Sequence, residues 1–369
     1  MESDVIVAGG GVIGTAIAWR AAAESGREVI LVDPGDDSDK ASLVAAGMLA
    51  PVSESVFGEE DLLALNLLAV GRFPGFAKEL EDAAGQETGL RTEGTLSVAY
   101  DSGDLAALTR LAEFRRGIGL HAETVSGREC RRLEPFLAPG VAGGVLAVGD
   151  LSVDNRRYVR ALRAAAARAG VRTVTGTVTA ISDGAVTVDK EVITATSVVV
   201  AAGWATSRID GVPAAVRKAL RPVKGQLLRL RQPGNLPPVA TRTIRALVQG
   251  RDVYVVPRAD GELVVGATQE ERDDRDVTAG AVHDILRDAM TALPAVSELI
   301  LAEINVGLRP GSADNGPIVG RAGDGLIVAT GHFRNGILLS AATADAVTAL
   351  LAGADPAPQW APFTPERFS

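Results

Sequence analysis

The chain has 369 residues, 47% hydrophobic and 22% charged, with a formal net charge of −9, which suits two or three domain-sized units of ordinary globular composition. The acidic excess speaks against a nucleic-acid surface, which needs a basic face, so Arg115, Arg116, Arg131 and Arg132 read as solvated helix-face charges. A single cysteine, Cys130, leaves no internal disulfide or cysteine-built metal site, and neither a secretory leader nor a run of about 18 apolar residues occurs; the expectation is a cytoplasmic protein away from membranes.

The opening residues read as strand, turn, helix, strand. Val5-Ile6-Val7-Ala8 is an apolar run suited to a parallel strand buried on both faces, residues 15–23 are an alanine-rich helix, and Val29-Ile30-Leu31-Val32 is the next strand. Gly9 permits the tight turn, Gly11 lets backbone approach a pyrophosphate, and Gly14 lets the helix pack on its strand with its N-terminal end toward the phosphates. Asp33 follows 19 residues after Gly14, where a carboxylate accepts hydrogen bonds from ribose hydroxyls. Together these features point to dinucleotide binding; the alternative is a glycine-rich turn in an ordinary parallel sheet.

Residues 34–40 form a polar loop, and residues 41–50 are small, apolar and glycine-bearing, suited either to backbone lying against something flat or to tight helix packing. Residues 61–80 have a wide leucine face at helical spacing. From about residue 81 alternating runs at 94–100 and 143–148, with a helix at 105–116, read as an antiparallel sheet carrying a helix on one face. A basic helix (158–168), a strand (171–174), a hairpin (185–188 with 192–194) and a buried strand meeting Gly203 (197–202) return the chain to its first unit. It leaves again at residue 221 for strands at 227–230, 253–256 and 263–265 and a helix at 279–293 ended by Pro294. The final helix, 337–351, contains Asp345 and falls short of the roughly 20 residues a membrane span needs. The expected fold is mixed α/β: a Rossmann-type dinucleotide domain (1–80, 149–220, 301–369) interleaved with a smaller antiparallel-sheet domain (81–148, 221–300).

The opening fingerprint, Ala45-Ala46-Gly47-Met48-Leu49, Pro222-Val223-Lys224-Gly225, Tyr254-Val255-Val256-Pro257-Arg258, Gly307-Leu308-Arg309-Pro310 and Gly331-His332-Phe333-Arg334-Asn335-Gly336-Ile337 resemble the D-amino-acid oxidase family of flavoproteins, in particular its glycine-oxidising branch in thiamine biosynthesis. The resemblance runs along essentially the whole chain. It implies noncovalent FAD, with Val12 and Ile13 by the pyrophosphate, Asp33 on the adenosine ribose, Ala41, Ser42, Ala46, Gly47 and Met48 along the flavin, Val178 at the adenine, His332, Phe333, Arg334, Asn335, Gly336, Ile337 and Leu338 around the isoalloxazine, and Gly9, Gly11, Gly14, Pro34 and Gly203 as further cofactor-binding residues. A helix starting at Gly336 offers free amides and a positive dipole end to the negative edge of a reduced flavin.

Arg309, flanked by Gly307-Leu308 and Pro310-Gly311 at the end of a strand, offers a rigid fork to a carboxylate. The resemblance makes it the substrate-carboxylate anchor, against the alternative of a structural salt bridge. Arg334 is a second substrate-side arginine or a flavin-loop holder. Tyr254 places a hydroxyl beside the same carboxylate or simply fills a strand face. The three histidines, His121, His283 and His332, lack metal spacing, and His121 and His283 read as surface residues.

With no nucleophile–base arrangement, the implied chemistry is the cofactor's: a small amino acid passes its α-hydride to flavin N5, the imine hydrolyses to glyoxylate and ammonia, and dioxygen becomes hydrogen peroxide. Implied partners are the amino acid, molecular oxygen and a thiazole synthase that uses the imine, in a homo-oligomer that the resemblance makes a tetramer. A D-amino-acid or sarcosine dehydrogenase or oxidase with another electron acceptor is the rival reading, and a non-catalytic flavin-binding regulator a third. Sarcosine oxidases often attach flavin through a C-terminal cysteine, which is absent here.

Overall fold

The computed structural model describes residues 2–38, 40–182, 184–234 and 237–369. The opening strand Glu2–Ala8 lies at the centre of the first sheet. It pairs in parallel with Val29–Asp33 on one side and Glu191–Val200 on the other, and Arg172–Thr175 and Leu326–Thr330 extend the parallel order outward. Ile318–Gly323 closes one edge in antiparallel sense, and Val178–Ser182 with Ala185–Val188 forms a meander on Glu191–Val200. The apolar runs are uninterrupted because both faces are covered. Val5, Val7, Leu31 and Val199 face the helices Val12–Ser25, Glu60–Ala84, Asn155–Arg168 and Gly336–Leu351, whereas Ile6, Ile30, Val32, Val198 and Val200 pack against the meander and residues 209–220.

The second sheet runs in the order Ile300–Ser312, Leu220–Arg231, Glu262–Gly266, Arg251–Pro257, Thr243–Val248, Thr95–Ala99, Gly143–Ala147, Glu123–Ser126. Its two faces differ. Leu228, Val253, Val255, Leu263 and Val265 bury against the helix Ala279–Ala292, while Leu227, Tyr254, Val256 and Val264 turn toward Val44 and Ala46 of the first unit. The period-2 alternation of the strands thus gives one face to a core and the other to the site.

Several expectations need correction. The second sheet is not wholly antiparallel, because Thr243–Val248 and Thr95–Ala99 run parallel. Ile300–Ser312, placed by sequence in the first unit, is hydrogen-bonded along its length to Leu220–Arg231 in the second sheet. The expected hairpin strand at 192–194 and buried strand at 197–200 are a single strand, Glu191–Val200, whose first half pairs with the meander and whose second half enters the parallel sheet. Arg115 is not solvated: it is 3% exposed and donates to the carbonyls of Ser53 and Ser55, at 2.6 and 3.2 Å. Arg131 is half-buried against the carbonyls of Pro139 and Val141, and of the four only Arg116 and Arg132 are exposed, Arg116 donating to the Ala122 carbonyl at 3.0 Å. Among the described residues no helix is long and apolar enough to cross a membrane.

Candidate active site

A cavity of about 730 Å³ opens at the carboxyl ends of the first sheet's strands and runs beneath the inward face of the second sheet. It starts where strand order reverses, since the chain leaves Glu2–Ala8 for the neighbour on one side and returns as Glu191–Val200 on the other; ligands of open α/β sheets bind at such a point.

At this end Gly9, Gly10, Gly11, Val12 and Ile13 line the wall. Gly9 has φ +112°, and a Cβ there would meet the Ala201 carbonyl oxygen at 2.5 Å. A Cβ on Gly11 would meet only Ser42 Oγ, at 3.4 Å, so the backbone is bare to the cavity. Val12 begins the helix, and its N–H donates to Ser42 Oγ at 3.0 Å. Asp33 is held in place: one oxygen accepts from the Gly10 N–H at 2.7 Å, the other from the Gly35 N–H at 2.8 Å and from Lys40 Nζ at 2.7 Å. A carboxylate has about four acceptor sites, so one is left for a ligand hydroxyl. Pro34 and Val178 lie on the same wall.

Ala41, Ser42, Ala46, Gly47, Met48 and Gly203 form the middle of the cavity. Buried side chains from far away fix their backbone. Asn155 Nδ2 donates to the Ser42 carbonyl at 2.8 Å, and Arg258 donates to the carbonyls of Ala46 at 2.7 Å and Val153 at 3.1 Å. Burial brings the Arg258 guanidinium down to about 10, still protonated at neutral pH.

Next come His332, Phe333, Arg334, Gly336 and Ile337, where a 3-10 turn, Phe333–Asn335, runs into the helix Gly336–Leu351 and aims its first amides at the cavity. His332 Nε2 lies 3.0 Å from Thr343 Oγ1, and burial pushes the imidazole down to about 3, so it is neutral near pH 7. His121 and His283 are exposed. Three residues placed at the cofactor by resemblance are not on the wall. Gly14 is a packing position where a Cβ would meet the Gly9 carbonyl oxygen at 1.9 Å, Leu338 is buried in the helical core, and Asn335 lines a separate small pocket.

At the far end Arg309 sits within, rather than at the end of, the strand Ile300–Ser312. Its guanidinium lies flat over Gly225, where a Cβ would meet it at 2.4 to 2.6 Å. Nη1 donates to the carbonyls of Thr268 at 3.1 Å and Lys224 at 3.4 Å. Among the described residues no carboxylate pairs with it, and burial lowers its pKa. Tyr254 reaches over Gly266 to the same compartment, and burial raises its phenol pKa. Arg334 is exposed and pairs with Glu59 at 3.6 Å. Sequence reasoning missed Glu54, Arg245, Asp252, Thr268 and Lys40, all on the wall. Only their three-dimensional convergence marks them.

The FAD dependent oxidoreductase (DAO) model matches residues 4–350. The chain belongs to this family. It is 36% identical over 99% of its length to the "Bifunctional protein ThiO/ThiG" of Synechocystis sp., spanning 54% of that protein, and 33% identical over 99% to the "Glycine oxidase" of Geobacillus kaustophilus, spanning 97% of it. The chain therefore covers about half of the bifunctional relative and nearly all of the glycine oxidase. It superposes on the crystal structure of glycine oxidase from Geobacillus kaustophilus with a TM-score of 0.89 and 32% identity, covering 98% of each chain.

This family member is an FAD-dependent oxidoreductase, and the cavity suits that cofactor. Two helix N-termini, at Val12 and Gly336, open on one continuous space; the first is approached by bare glycine backbone, and a carboxylate with a spare acceptor site lies beside it. When bound, FAD supplies the two-electron acceptor.

Proposed function

We propose that this chain oxidises glycine, and less specifically other small amines and D-amino acids, to the imine, which hydrolyses to glyoxylate and ammonia while dioxygen is reduced to hydrogen peroxide. The observation that carries this reading is Arg309: a guanidinium in the cavity that belongs to the FAD-dependent family, fixed by two backbone carbonyls and left without a protein carboxylate among the described residues. Such a group is prepared for an external carboxylate, which it grips through two parallel hydrogen bonds. Tyr254 adds a donor beside it. The names of the full-length relatives support glycine as that substrate.

In this reading Gly9, Gly11, Val12 and Ile13 receive the pyrophosphate, Asp33 the ribose, Val178 the adenine, and Ser42 to Met48 with His332 to Ile337 the ring system. Arg309 and Tyr254 orient the substrate's α-carbon. The packed walls exclude water, which strengthens the grip of Arg309. His332 makes a poor base, because burial lowers its affinity for a proton and Nε2 is hydrogen-bonded to Thr343. The reactive form is the neutral amine, so activity rises with pH through the amine's own titration. Cys130 is buried in the second-sheet core, its thiol raised to about 11 by burial, which favours noncovalent FAD. The fused ThiG portion of the bifunctional relative supports handing the imine to a thiazole-forming partner.

The purified yellow protein should release hydrogen peroxide and ammonia in equal amounts from glycine, with sarcosine and D-alanine as comparison. Ammonia without peroxide would point to another electron acceptor. Inertness toward all three amines would overturn the proposal.

A further inference from the structure

The loop after Met48 is fixed with unusual investment. Asp150, 0% exposed, accepts from the N–H groups of Val52 at 2.9 Å and Ser53 at 3.1 Å. Arg115, from the helix Ser102–Gly117, grips the carbonyls of Ser53 and Ser55 from the other side. Two charges held out of water cost free energy unless they are fully engaged, and here both engage one four-residue turn. That turn carries Glu54 into the cavity.

The Glu54 side chain is fixed as well. Arg245 Nη1 donates to its Oε1 at 2.6 Å. Arg245 is the direct cross-strand partner of Tyr254, so both rise from the same face of the sheet, with Cβ atoms roughly 5 Å apart. Arg309 reaches this compartment from the far edge of the same sheet. The compartment therefore holds a cationic end at Arg309 and a carboxylate at Glu54. A zwitterionic amino acid needs both.

Other acids do not fill that role. Asp33 and Asp36 lie at the dinucleotide end, Glu59 pairs with Arg334, and the Asp252 side chain is 75% exposed, against 19% for Glu54. Glu54 is the carboxylate that is both sheltered and immobilised in this half of the cavity. We propose that Glu54 is the substrate-binding residue that receives the amino nitrogen, with Arg245, Arg115 and Asp150 as its positioning residues. This rests on the amino-acid reading of the site above.

A negative neighbour favours the ammonium form, so Glu54 tightens binding of the zwitterion while delaying appearance of the neutral amine. Arg245 and Arg309 oppose that effect, Asp252 adds to it, and the Arg334–Glu59 pair is balanced. Glu54→Gln keeps an acceptor for Arg245 and removes the charge. In the FAD-loaded protein, Glu54→Gln should raise the KM for glycine about ten- to a hundredfold, the weight of one hydrogen bond to a charged group. Glycolate, which has a hydroxyl in place of the amine, should keep its Kd within about twofold by flavin absorbance titration. The rising limb of kcat against pH should move down by about one pH unit, as loss of a neighbouring charge requires. Glu54→Asp should restore the limb. Equal weakening of glycine and glycolate, no change in either, or an unmoved limb would overturn the assignment. Failure of the native protein to oxidise any amino acid would instead refute the functional reading it rests on.

Discussion

At the dinucleotide end of the cavity the wall is bare backbone from one continuous stretch, residues 9–13, whose Gly10 and Val12 amides are held by Asp33 and Ser42, with Asp33 one strand away. At the substrate end they are side chains delivered by separate strands of the second sheet, Arg309, Tyr254 and Arg245, together with Glu54 on a loop 191 residues from its partner Arg245. The first kind of site tolerates variation in most side chains and almost none in backbone approach. The second depends on individual functional groups and little on local backbone. Substitutions at the two ends should therefore fail in different ways, one losing cofactor and the other keeping cofactor while losing substrate.

The largest expected effect belongs to the backbone end. In Gly14→Ala the new methyl would meet the Gly9 carbonyl oxygen at 1.9 Å, which forces the turn and helix apart. The purified variant should be colourless and less stable than the native chain by thermal melting. Retention of full flavin content would show that the close approach of Gly14 to Gly9 is not needed to hold the cofactor.

At the substrate end, Arg309→Ala should keep flavin near the native content and lose roughly 30- to 4,000-fold in kcat/KM for glycine, corresponding to about 2–5 kcal/mol for an unpaired charge. Arg309→Lys should recover part, since an ammonium keeps the charge without the planar fork. Loss of FAD in Arg309→Ala would erase the distinction between the two ends.

The smallest effect lies where the ends meet, at His332. Burial holds this imidazole at about 3, well below its unfolded value of about 6.5, so its contribution to stability is complete above that unfolded value and is lost as pH falls toward the folded one. Between pH 7 and pH 5 that amounts to roughly 2 kcal/mol of destabilisation. In His332→Gln the melting temperature should fall less over the same interval, and the rising limb of kcat/KM for glycine should stay in place. A limb that vanished with the histidine would make His332 a base.

The contrast between the ends also explains what the sequence reveals. Strand, glycine turn, helix and acid are contiguous, so local spacing suffices to read them, and the apolar runs of the first sheet announce burial on both faces. Arg309 and Tyr254 stand out only through resemblance to flavoprotein motifs. Glu54 and Arg245 carry no local mark, because a glutamate in a loop and an arginine in a strand look like solvated charges until the sheet places them together. Arg115 misleads for the same reason: its helix reads as a charged surface helix, and the turn of residues 52–55 that buries it comes from elsewhere in the chain. Ile300–Ser312 misleads differently, since its partner Leu220–Arg231 lies at the opposite end of the 221–300 segment.

The most direct test of the division between cofactor end and substrate end uses a ligand that is little more than a carboxylate. Acetate titrated into the native, FAD-loaded protein should perturb the flavin absorbance with saturation, because Arg309 holds the anion in the same cavity. In Arg309→Ala with flavin content unchanged, that perturbation should disappear. An equal perturbation in both proteins would contradict the assignment of Arg309 as the carboxylate anchor.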